Sequence, residues 1–268
     1  MEKIKIEAAG LLEKIRKEKP VVHHLTNWVT IYDCAQIVKV MGGSPVMAHA
    51  KEEVAEMAKI ASSLVLNIGT LTVDFVEAMK IAAKSANEKG IPVILDVCGA
   101  GATRLRDEKC VELLHEVKID IIKGNASEIA RINGEEVRTK GVDASHVSAD
   151  LKEIARELAQ IRKATVVITG KEDIISDGIN TYLVKNGTPK LTEIVGSGCM
   201  AASVIGAFAA VEKDLAKAAV SGLVCYGLAA ECAAKKAKGP GSFKEGIFDC
   251  LANLDKSTIN SKQKVERL

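Results

Sequence analysis

The sequence predicts an α/β fold with a mostly parallel central sheet and helices on both faces. Short runs rich in Val, Ile and Leu alternate with longer stretches of helical periodicity. The short runs are apolar on both faces, as in parallel strands that are covered on each side. The 268 residues are enough for a substantial core, and they contain no internal repeat or long linker. We therefore expect one domain over residues 1–268.

The elements follow one another along the chain. An amphipathic N-terminal helix is predicted from apolar residues at helical spacing among charges: Ile4, Ala8, Leu11, Leu12 and Ile15. Six predicted strands are short, mostly apolar and rich in β-branched residues: Pro20–Leu25, Ser44–Met47, Leu64–Asn67, Pro92–Val97, Ile119–Lys123 and Thr165–Thr169. Five predicted helices alternate with them: Tyr32–Met41, Glu52–Ala61, Val73–Lys89, Glu108–Val117 and Ser148–Arg162.

A hairpin and two long helices complete the prediction. The segments Ile174–Ser176 and Thr181–Val184 flank Asp177-Gly178, which predicts a hairpin on one edge of the sheet. Asp214 is expected to cap a long helix that ends at Gly239-Pro240. The polar stretch Thr139–Ser148 indicates a surface loop.

Composition excludes several classes of function. Lys plus Arg exceed Asp plus Glu by only 37 to 35, and aromatic residues make up 3% of the chain, so neither a nucleic-acid site nor membrane-surface binding is expected. The apolar runs Cys199–Val211 and Ala218–Ala230 are too short to span a bilayer, which predicts core helices. Seven Cys without Cys-x-x-Cys spacing, and no secretory signal, favour a reducing cytoplasm over a zinc site or disulfide framework.

Polar residues cluster where the predicted strands end. Ligands of open α/β sheets bind beyond the carboxyl ends of the strands. The six ends carry Gly, Asn, Thr and acidic residues: His23–Asn27, Met47, Asn67–Thr70, Asp96–Thr103, Lys123–Glu128 and Thr169-Gly170. Together they predict a site, although each alone is compatible with an ordinary turn.

The turn Gly196–Cys199 is the sharpest feature of the chain. Gly196 and Gly198 flank Ser197, and Cys199 then opens an apolar helix. Glycines let backbone N–H groups point at a ligand, and a helix start adds unpaired donors and the positive end of the dipole. A thiol in the first helical turn is expected to have a lowered pKa. The alternative is a tight helix entry in which Cys199 is a small core hydrophobe.

Two further segments are candidates. Gly99–Thr103 follows a strand and Asp96, and it is either a loop that admits phosphate and metal or a plain strand-to-helix turn. Lys123 precedes Asn125 and Glu128, which share one helical face and are suited to a hydrated Mg²⁺, while Lys123 is suited to phosphate charge. The alternative is a capping box between Asn125 and Glu128.

These motifs resemble those of a known family. Asn125-x-x-Glu128 followed by a Gly-x-Gly turn resembles the ribokinase-like superfamily of small-molecule kinases. Cys199 in place of the usual Asp resembles the hydroxyethylthiazole kinase family, and three further segments agree: Val22–Asn27, Gly43–Ala48 and Leu95–Arg106. The chain departs from the family at Val97-Cys98, where Pro-Val is usual, and at Lys123, where Arg is commoner.

The resemblance implies a ribokinase-like fold and phosphorylation of 4-methyl-5-(2-hydroxyethyl)thiazole by ATP with Mg²⁺, a step of thiamine synthesis. Lys123 and Thr169 match the family's ATP-binding positions, and Met47 and Gly196 match its thiazole-binding positions. Cys199 matches the residue near the substrate hydroxyl. The family also implies a homotrimer with active sites between subunits. For the metal we expect Glu128 and, through water, Asp96.

Alternative functions follow from the same residues. A kinase of a hydroxymethylpyrimidine or a vitamin B6 alcohol is the nearest alternative. A Cys199-dependent acyl-transfer enzyme with a His partner, and a nucleotide sensor without catalysis, belong to other classes.

Overall fold

The computed structural model describes residues 2–134 and 150–268. The described strands are β1 Glu2–Ile4, β2 Val21–Leu25, β3 Ser44–Val46, β4 Ser63–Asn67, β5 Val93–Asp96, β6 Ile121–Asn125, β7 Thr165–Thr169, β8 Asp173–Ser176, β9 Thr181–Val184 and β10 Val265–Arg267. The helices are α1 Ala8–Glu18, α2 Ile31–Val40, α3 Val54–Ile60, α4 Val73–Lys89, α5 Arg104–Glu116, α6 Ala126–Ile132, α7 Leu151–Arg162, α8 Ser197–Ala209, α9 Leu215–Lys236, α10 Pro240–Ala252 and α11 Lys256–Lys262, with a 3-10 helix at Pro189–Glu193.

All ten strands form one sheet in the order β1-β10-β9-β8-β7-β6-β5-β4-β2-β3. From β3 to β7 the neighbouring strands run parallel. From β7 to β1 they run antiparallel. The prediction of a mostly parallel sheet is confirmed, and the parallel half carries the polar strand ends.

Two apolar cores lie on opposite faces of the sheet. Along β4, Val65 belongs to one core while Leu64 and Leu66 belong to the other, because successive side chains of a strand point to opposite faces. Helices α1, α2, α8, α9 and α10 contribute to the first core, and α3, α4, α5, α6 and α7 contribute to the second. Strands covered on both faces carry apolar residues on both, which explains the short apolar runs that precede their polar ends.

Several predicted boundaries shift, and two predictions are wrong. Ile4 lies in β1 and not in the N-terminal helix, which begins at Ala8. The hairpin of β8 and β9 is not at the edge, since β10 and β1 extend the sheet beyond it. Three-residue strands carry too little periodicity to be found in a sequence. The predicted loop Thr139–Ser148 lies outside the described residues.

Helix α9 is longer than the apolar run that predicts it. Its 22 residues are long and apolar enough to cross a membrane by length and composition. This corrects the expectation that the segment around Ala218–Ala230 is too short to span a bilayer. However, 78% of its apolar window is buried inside the protein. We therefore interpret α9 as a core helix, and its N-terminus is capped by Asp214 as predicted, at 3.1 Å from Lys217 N.

Candidate active site

Neighbouring strands end in polar residues that lie side by side. Asn67 ends β4 in register with Asp96 of β5, and Asp96 is in register with Lys123 of β6. On the next pair of strands, Asn125 is in register with Thr169 of β7. Because these strands are parallel, their carboxyl ends meet at the same end of the sheet. The structure therefore places these five residues along one end of the sheet.

The turn before α8 presents free backbone donors. Gly196 has φ +87°, a left-handed conformation that L side chains rarely adopt, and it precedes the first helical residue. The first helical bond runs from Met200 N to Gly196 O at 2.8 Å. In the described part of the chain, no acceptor binds the N–H groups of Ser197, Gly198 or Cys199. These donors at the positive end of a 13-residue helix favour an anionic ligand.

A buried lysine lies against this turn. A Cβ atom built on Gly198 would lie 3.1 Å from Lys123 Nζ. Lys123 is 4% exposed, and its ammonium pairs with Asp96 Oδ1 at 3.1 Å. Burial opposes the charge on Lys123, but the nearby carboxylates of Asp96 and Glu128 outweigh it and raise the pKa of Lys123 above its ordinary value. The lysine is therefore charged beneath the free amides.

Cys199 is surrounded by hydrogen-bond donors. Asn27 Nδ2 and Asn67 Nδ2 each lie 3.3 Å from its Sγ. Hydrogen bonding from the Cys98 thiol lowers the pKa of Cys199, although burial and the charge of Asp96 oppose the shift. Lys123 acts in the same direction through its charge. Donors directed at one sulfur stabilise its thiolate, so Cys199 is suited to accept a proton.

The two other residues of the turn are held from different sides. A Cβ atom on Gly196 would come within 2.5 Å of Thr30 Cγ2, so the turn packs closely against the start of α2. The Ser197 carbonyl accepts a hydrogen bond from the Tyr226 hydroxyl of α9 at 3.0 Å. Both contacts fix the direction of the amides that follow.

Glu128 forms the capping box that was one of the two alternatives. Asn125 Oδ1 accepts from Glu128 N at 2.9 Å, and Glu128 Oε2 accepts from Asn125 N at 2.7 Å. Its other oxygen, Oε1, accepts from Gly99 N at 2.7 Å. The carboxylate thereby joins the start of α6 to the glycine loop after β5.

The charges around Glu128 do not balance. Asp96 and Glu128 are both buried, and Lys123 is the cation named in the pKa shifts of both. Burial raises the pKa of Asp96, while Lys123 and Asn67 oppose the shift. Burial and then the charge of Asp96 raise the pKa of Glu128. Two buried carboxylates beside one ammonium fit the binding of a further cation.

The metal itself would need other ligands besides protein. Within residues 2–134 and 150–268, no three side chains of His, Cys, Asp or Glu come together as a metal-binding group. Mg²⁺ commonly keeps several waters and binds through one or two carboxylates and substrate phosphates. Asp96 and Glu128 fit that mode of binding, and they do not fit a closed protein cage.

The glycine loop after β5 is a strand-to-helix turn. Gly99 and Gly101 have φ of +81° and +91°. Their amides donate to carboxylates of this chain, Gly99 to Glu128 and Gly101 to Asp107, each at 2.7 Å. Arg106 supports the turn by donating to three carbonyls, those of Ile68, Gly69 and Cys98. These bonds favour the plain-turn alternative over a phosphate loop.

Thr169 and Met47 lie on opposite sides of the strand ends that carry Asn67, Asp96 and Lys123. Thr169 ends β7, and its Oγ1 donates to the Gly124 carbonyl at 3.3 Å. Met47 follows the edge strand β3, which pairs with β2, and its side chain is half-buried. The hydrogen bonds described above join neither residue to the Cys199 sulfur.

Sequence reasoning did not find the amides around Cys199. The sequence marks Asn27 as a polar strand end within a family segment, Asn67 as a polar strand end, and Cys98 as a departure from a motif, and none of these points to the sulfur. Asn27 and Cys199 are 172 residues apart, and no local pattern encodes such a contact. The acyl-transfer alternative needs a histidine at the thiol, yet among the described residues no His hydrogen-bonds Cys199 Sγ. His24 instead bonds Ser203 Oγ at 3.2 Å.

Comparisons with known proteins agree on one family. A model of the hydroxyethylthiazole kinase family matches residues 12–257. A hydroxyethylthiazole kinase of Methanosarcina mazei is 53% identical, over 96% of this chain and 98% of its own length. The solved structure of the hydroxyethylthiazole kinase protein from Pyrococcus horikoshii OT3 is 38% identical, with a TM-score of 0.89 over 97% of this chain and 98% of that one.

More distant structures share the fold alone. A pyridoxal kinase from Staphylococcus aureus in complex with ADP has a TM-score of 0.64 at 14% identity, over 93% of this chain and 98% of that one. A ribokinase-like superfamily protein from Enterococcus faecalis V583 also has a TM-score of 0.64, at 11% identity over 94% of this chain and 98% of that one, so the three proteins share one fold. The family match covers most of the chain, and the relatives are matched almost end to end. The chain belongs to the hydroxyethylthiazole kinase family, a family of phosphotransferases.

Proposed function

We propose that this chain transfers the γ-phosphoryl group of ATP to the hydroxyl group of 4-methyl-5-(2-hydroxyethyl)thiazole, in the synthesis of thiamine. One observation carries the proposal: the buried Lys123 ammonium lies against the Gly198 backbone, beside free amides and the Cys199 sulfur. Phosphoryl transfer mainly needs positioning and neutralisation of charge. This arrangement gathers donors, a cation and a proton acceptor around the turn Gly196–Cys199.

The reaction exchanges one P–O bond for another. The substrate hydroxyl oxygen bonds to the γ-phosphorus, the bond to the β-phosphate oxygen breaks, and ADP leaves. The hydroxyl proton passes to the Cys199 thiolate, which the amides of Asn27 and Asn67 hold in place. The N–H groups of Ser197, Gly198 and Cys199 receive the charge that develops on the transferred group.

Mg²⁺ would neutralise phosphate charge when bound with the nucleotide. We propose Glu128 and, through water, Asp96 as the residues that hold it. The support is the surplus of buried carboxylate over ammonium around Lys123. Lys123 itself is proposed to bind the ATP phosphates.

The remaining binding roles follow from position on the sheet. Thr169 is proposed to contact ATP, since it ends the strand beside Asn125. Met47 and Gly196 are proposed to bind the thiazole, and a thioether offers a polarizable apolar surface to such a ring. Gly196 packs on Thr30, three residues after Asn27, so the substrate side of the turn faces this loop.

A homotrimer with active sites at subunit interfaces is proposed from the surface next to Asn27. Trp28, Val29 and Tyr32 are 46%, 67% and 70% exposed. Trp28 also stacks on Phe75 at 5.6 Å between ring centroids. Exposed apolar side chains this close together commonly mark an interface. Light scattering of Val29→Glu would show a smaller particle than the parent chain, and an unchanged mass would contradict the trimer on this surface.

We further propose that residues 1–268 act as one domain in the cytoplasm. One sheet joins β1, near the N-terminus, to β10, near the C-terminus, which supports a single domain. The seven cysteines show no Cys-x-x-Cys spacing, a usage that favours a reducing compartment.

An assay of ADP release tests the function. We expect ADP to form with the thiazole alcohol and ATP, and to fall to background when the alcohol is left out. A hydroxymethylpyrimidine and a vitamin B6 alcohol, assayed in parallel, should turn over far more slowly. If ADP forms with one of those two alcohols and not with the thiazole alcohol, that alcohol replaces the proposed substrate. If no ADP forms with any of the three, the chain is not a kinase of these alcohols.

A further inference from the structure

Two cysteines far along the chain from Cys199 come unusually close together. Cys232 lies on α9 and Cys250 on α10, and their sulfur atoms are 2.6 Å apart. This separation is well inside the sum of two sulfur van der Waals radii and approaches the bond length of about 2.05 Å in a disulfide. Both residues are free thiols in the structure, and both are half-buried.

The helix pair brings these thiols together through close backbone packing. Residues 237–239 join α9 to α10, so the two helices are consecutive along the chain. One residue after Cys232, the Ala233 Cβ lies 3.2 Å from the Cβ position of Gly246, which is one turn before Cys250. Small residues at this contact let the two helices approach closely. The thiols therefore lie at the contact between two packed helices and not on a loop.

The two thiols are chemically distinct. The Cys250 thiol donates its hydrogen bond to Cys232 Sγ. Burial, together with that hydrogen bond, raises the pKa of Cys250 to about 12. The raised pKa keeps Cys250 protonated and makes it the poorer nucleophile, so Cys232 is the sulfur that attacks and Cys250 the thiol that completes the bond.

We propose that Cys232 and Cys250 are a modification site, at which low-molecular-weight disulfides oxidise the pair to a reversible disulfide bond. The Cys232 thiolate attacks one sulfur of the reagent, whose S–S bond breaks and releases one thiol. The Cys250 sulfur then displaces the second thiol from the mixed disulfide. Two protein thiols and one small disulfide thus become one protein disulfide and two small thiols, and the reagent accepts both electrons and both protons.

Peptide mapping of the full chain tests this proposal. The protein is reduced, desalted, treated with oxidised glutathione, alkylated and digested with trypsin. We expect the fragment of residues 218–235 to be joined to that of residues 245–256, with a mass lower by two hydrogen atoms than the separate thiol peptides. If both fragments instead carry alkyl groups in excess oxidised glutathione, the proposal is overturned.

Two variants sharpen the result. Cys225→Ala removes the other cysteine of the first fragment and should keep the crosslink, whereas Cys232→Ser should abolish it. The crosslink closes a short loop, so oxidation should raise the Tm of the parent chain by about 5–10 °C and leave that of Cys232→Ser unchanged. A crosslink that survives in Cys232→Ser would assign the bond to Cys225 and contradict the proposal. If Cys232→Ser does not fold, the map of Cys225→Ala decides alone.

Discussion

A Cβ atom on Gly198 would lie 3.1 Å from the ammonium nitrogen of Lys123. This contact joins the start of α8 to β6, which are more than 70 residues apart along the chain. It places a buried positive charge directly against the backbone donors of the turn. The absence of a side chain at residue 198 is what allows that approach.

Substitution of Gly198 tests the turn. Gly198→Val fills the space over Lys123, so we expect kcat/KM for ATP-dependent phosphorylation to fall on the order of 10²- to 10³-fold or more, the usual cost of losing an oxyanion donor. Gly241→Val is the matched control, because nothing lies within 4 Å of its Cβ position. Steady-state ADP release compares the two. A Gly198→Val variant that turns over like the parent chain would contradict the assignment of the turn.

Loss of the buried cation should affect nucleotide use. In Lys123→Met the phosphates lose their cation and Asp96 loses its partner at 3.1 Å. We expect KM for ATP to rise and kcat to fall, together on the order of 10²-fold in kcat/KM. Lys123→Arg keeps the charge and should recover part of the activity. Equal ATP saturation curves for Lys123→Met and the parent chain would refute the role of Lys123.

Replacement of the thiol tests its share of catalysis. Cys199→Ser keeps a polar group of similar shape but has a much weaker tendency to ionise. We expect kcat to fall within the range of about 10²- to 10⁴-fold that is usual for a general base, while turnover stays measurable because the amides of the turn remain. An unchanged kcat would show that Cys199 takes no proton in the rate-limiting step.

The neighbouring thiol controls the pH at which Cys199 ionises. The hydrogen bond from Cys98 lowers the pKa of Cys199, so its removal in Cys98→Ala should raise that pKa. Activity that needs the thiolate and the rate of Cys199 alkylation by iodoacetamide should then both rise at higher pH than in the parent chain. Cys110→Ala, a buried cysteine of the opposite core, is the control. A Cys199 alkylation profile that stays in place, or moves to lower pH, would be incompatible with this interaction.

A buried histidine should make folding sensitive to acid. Burial lowers the pKa of His24 from 6.5 to about 4. As the pH falls, the unfolded chain therefore takes up this proton before the folded protein does. The contribution of His24 to the free energy of unfolding is greatest above pH 6.5, declines as the pH falls towards 4, and does not change further below pH 4. His24 alone should account for a loss of about 3 kcal/mol in the free energy of unfolding. Urea unfolding of the parent chain should show a steeper pH dependence than His24→Gln, and equal slopes would contradict the lowered pKa.

The parallel half of the fold could be predicted because its strands carry short apolar runs that precede polar strand ends. Thr165–Thr169 and Val73–Lys89 have the same bounds in the sequence-based prediction and in the structure. The short strands β1 and β10 could not be predicted, since each has three residues and they pair across almost the whole chain. Their partner is specified by tertiary structure and not by local pattern.

The site was predictable only as a set of strand ends. The rule that parallel strands end at one side of a sheet brings Asn67, Asp96 and Lys123 together, and the register agrees with it. The contacts of Asn27 and Asn67 with Cys199 depend on where α8 packs on the sheet. That packing is a property of the assembled core, so no motif of the sequence contains it.

Transfer of labelled phosphate is the most direct test of the proposed reaction. The parent chain and Gly198→Val are incubated with ATP labelled at the γ-phosphate, Mg²⁺ and the thiazole alcohol, and the products are separated and counted. The proposal predicts that label appears on the alcohol in amounts equal to the ADP formed, and that Gly198→Val gives almost none. Label released only as inorganic phosphate, or equal transfer by both proteins, would contradict it.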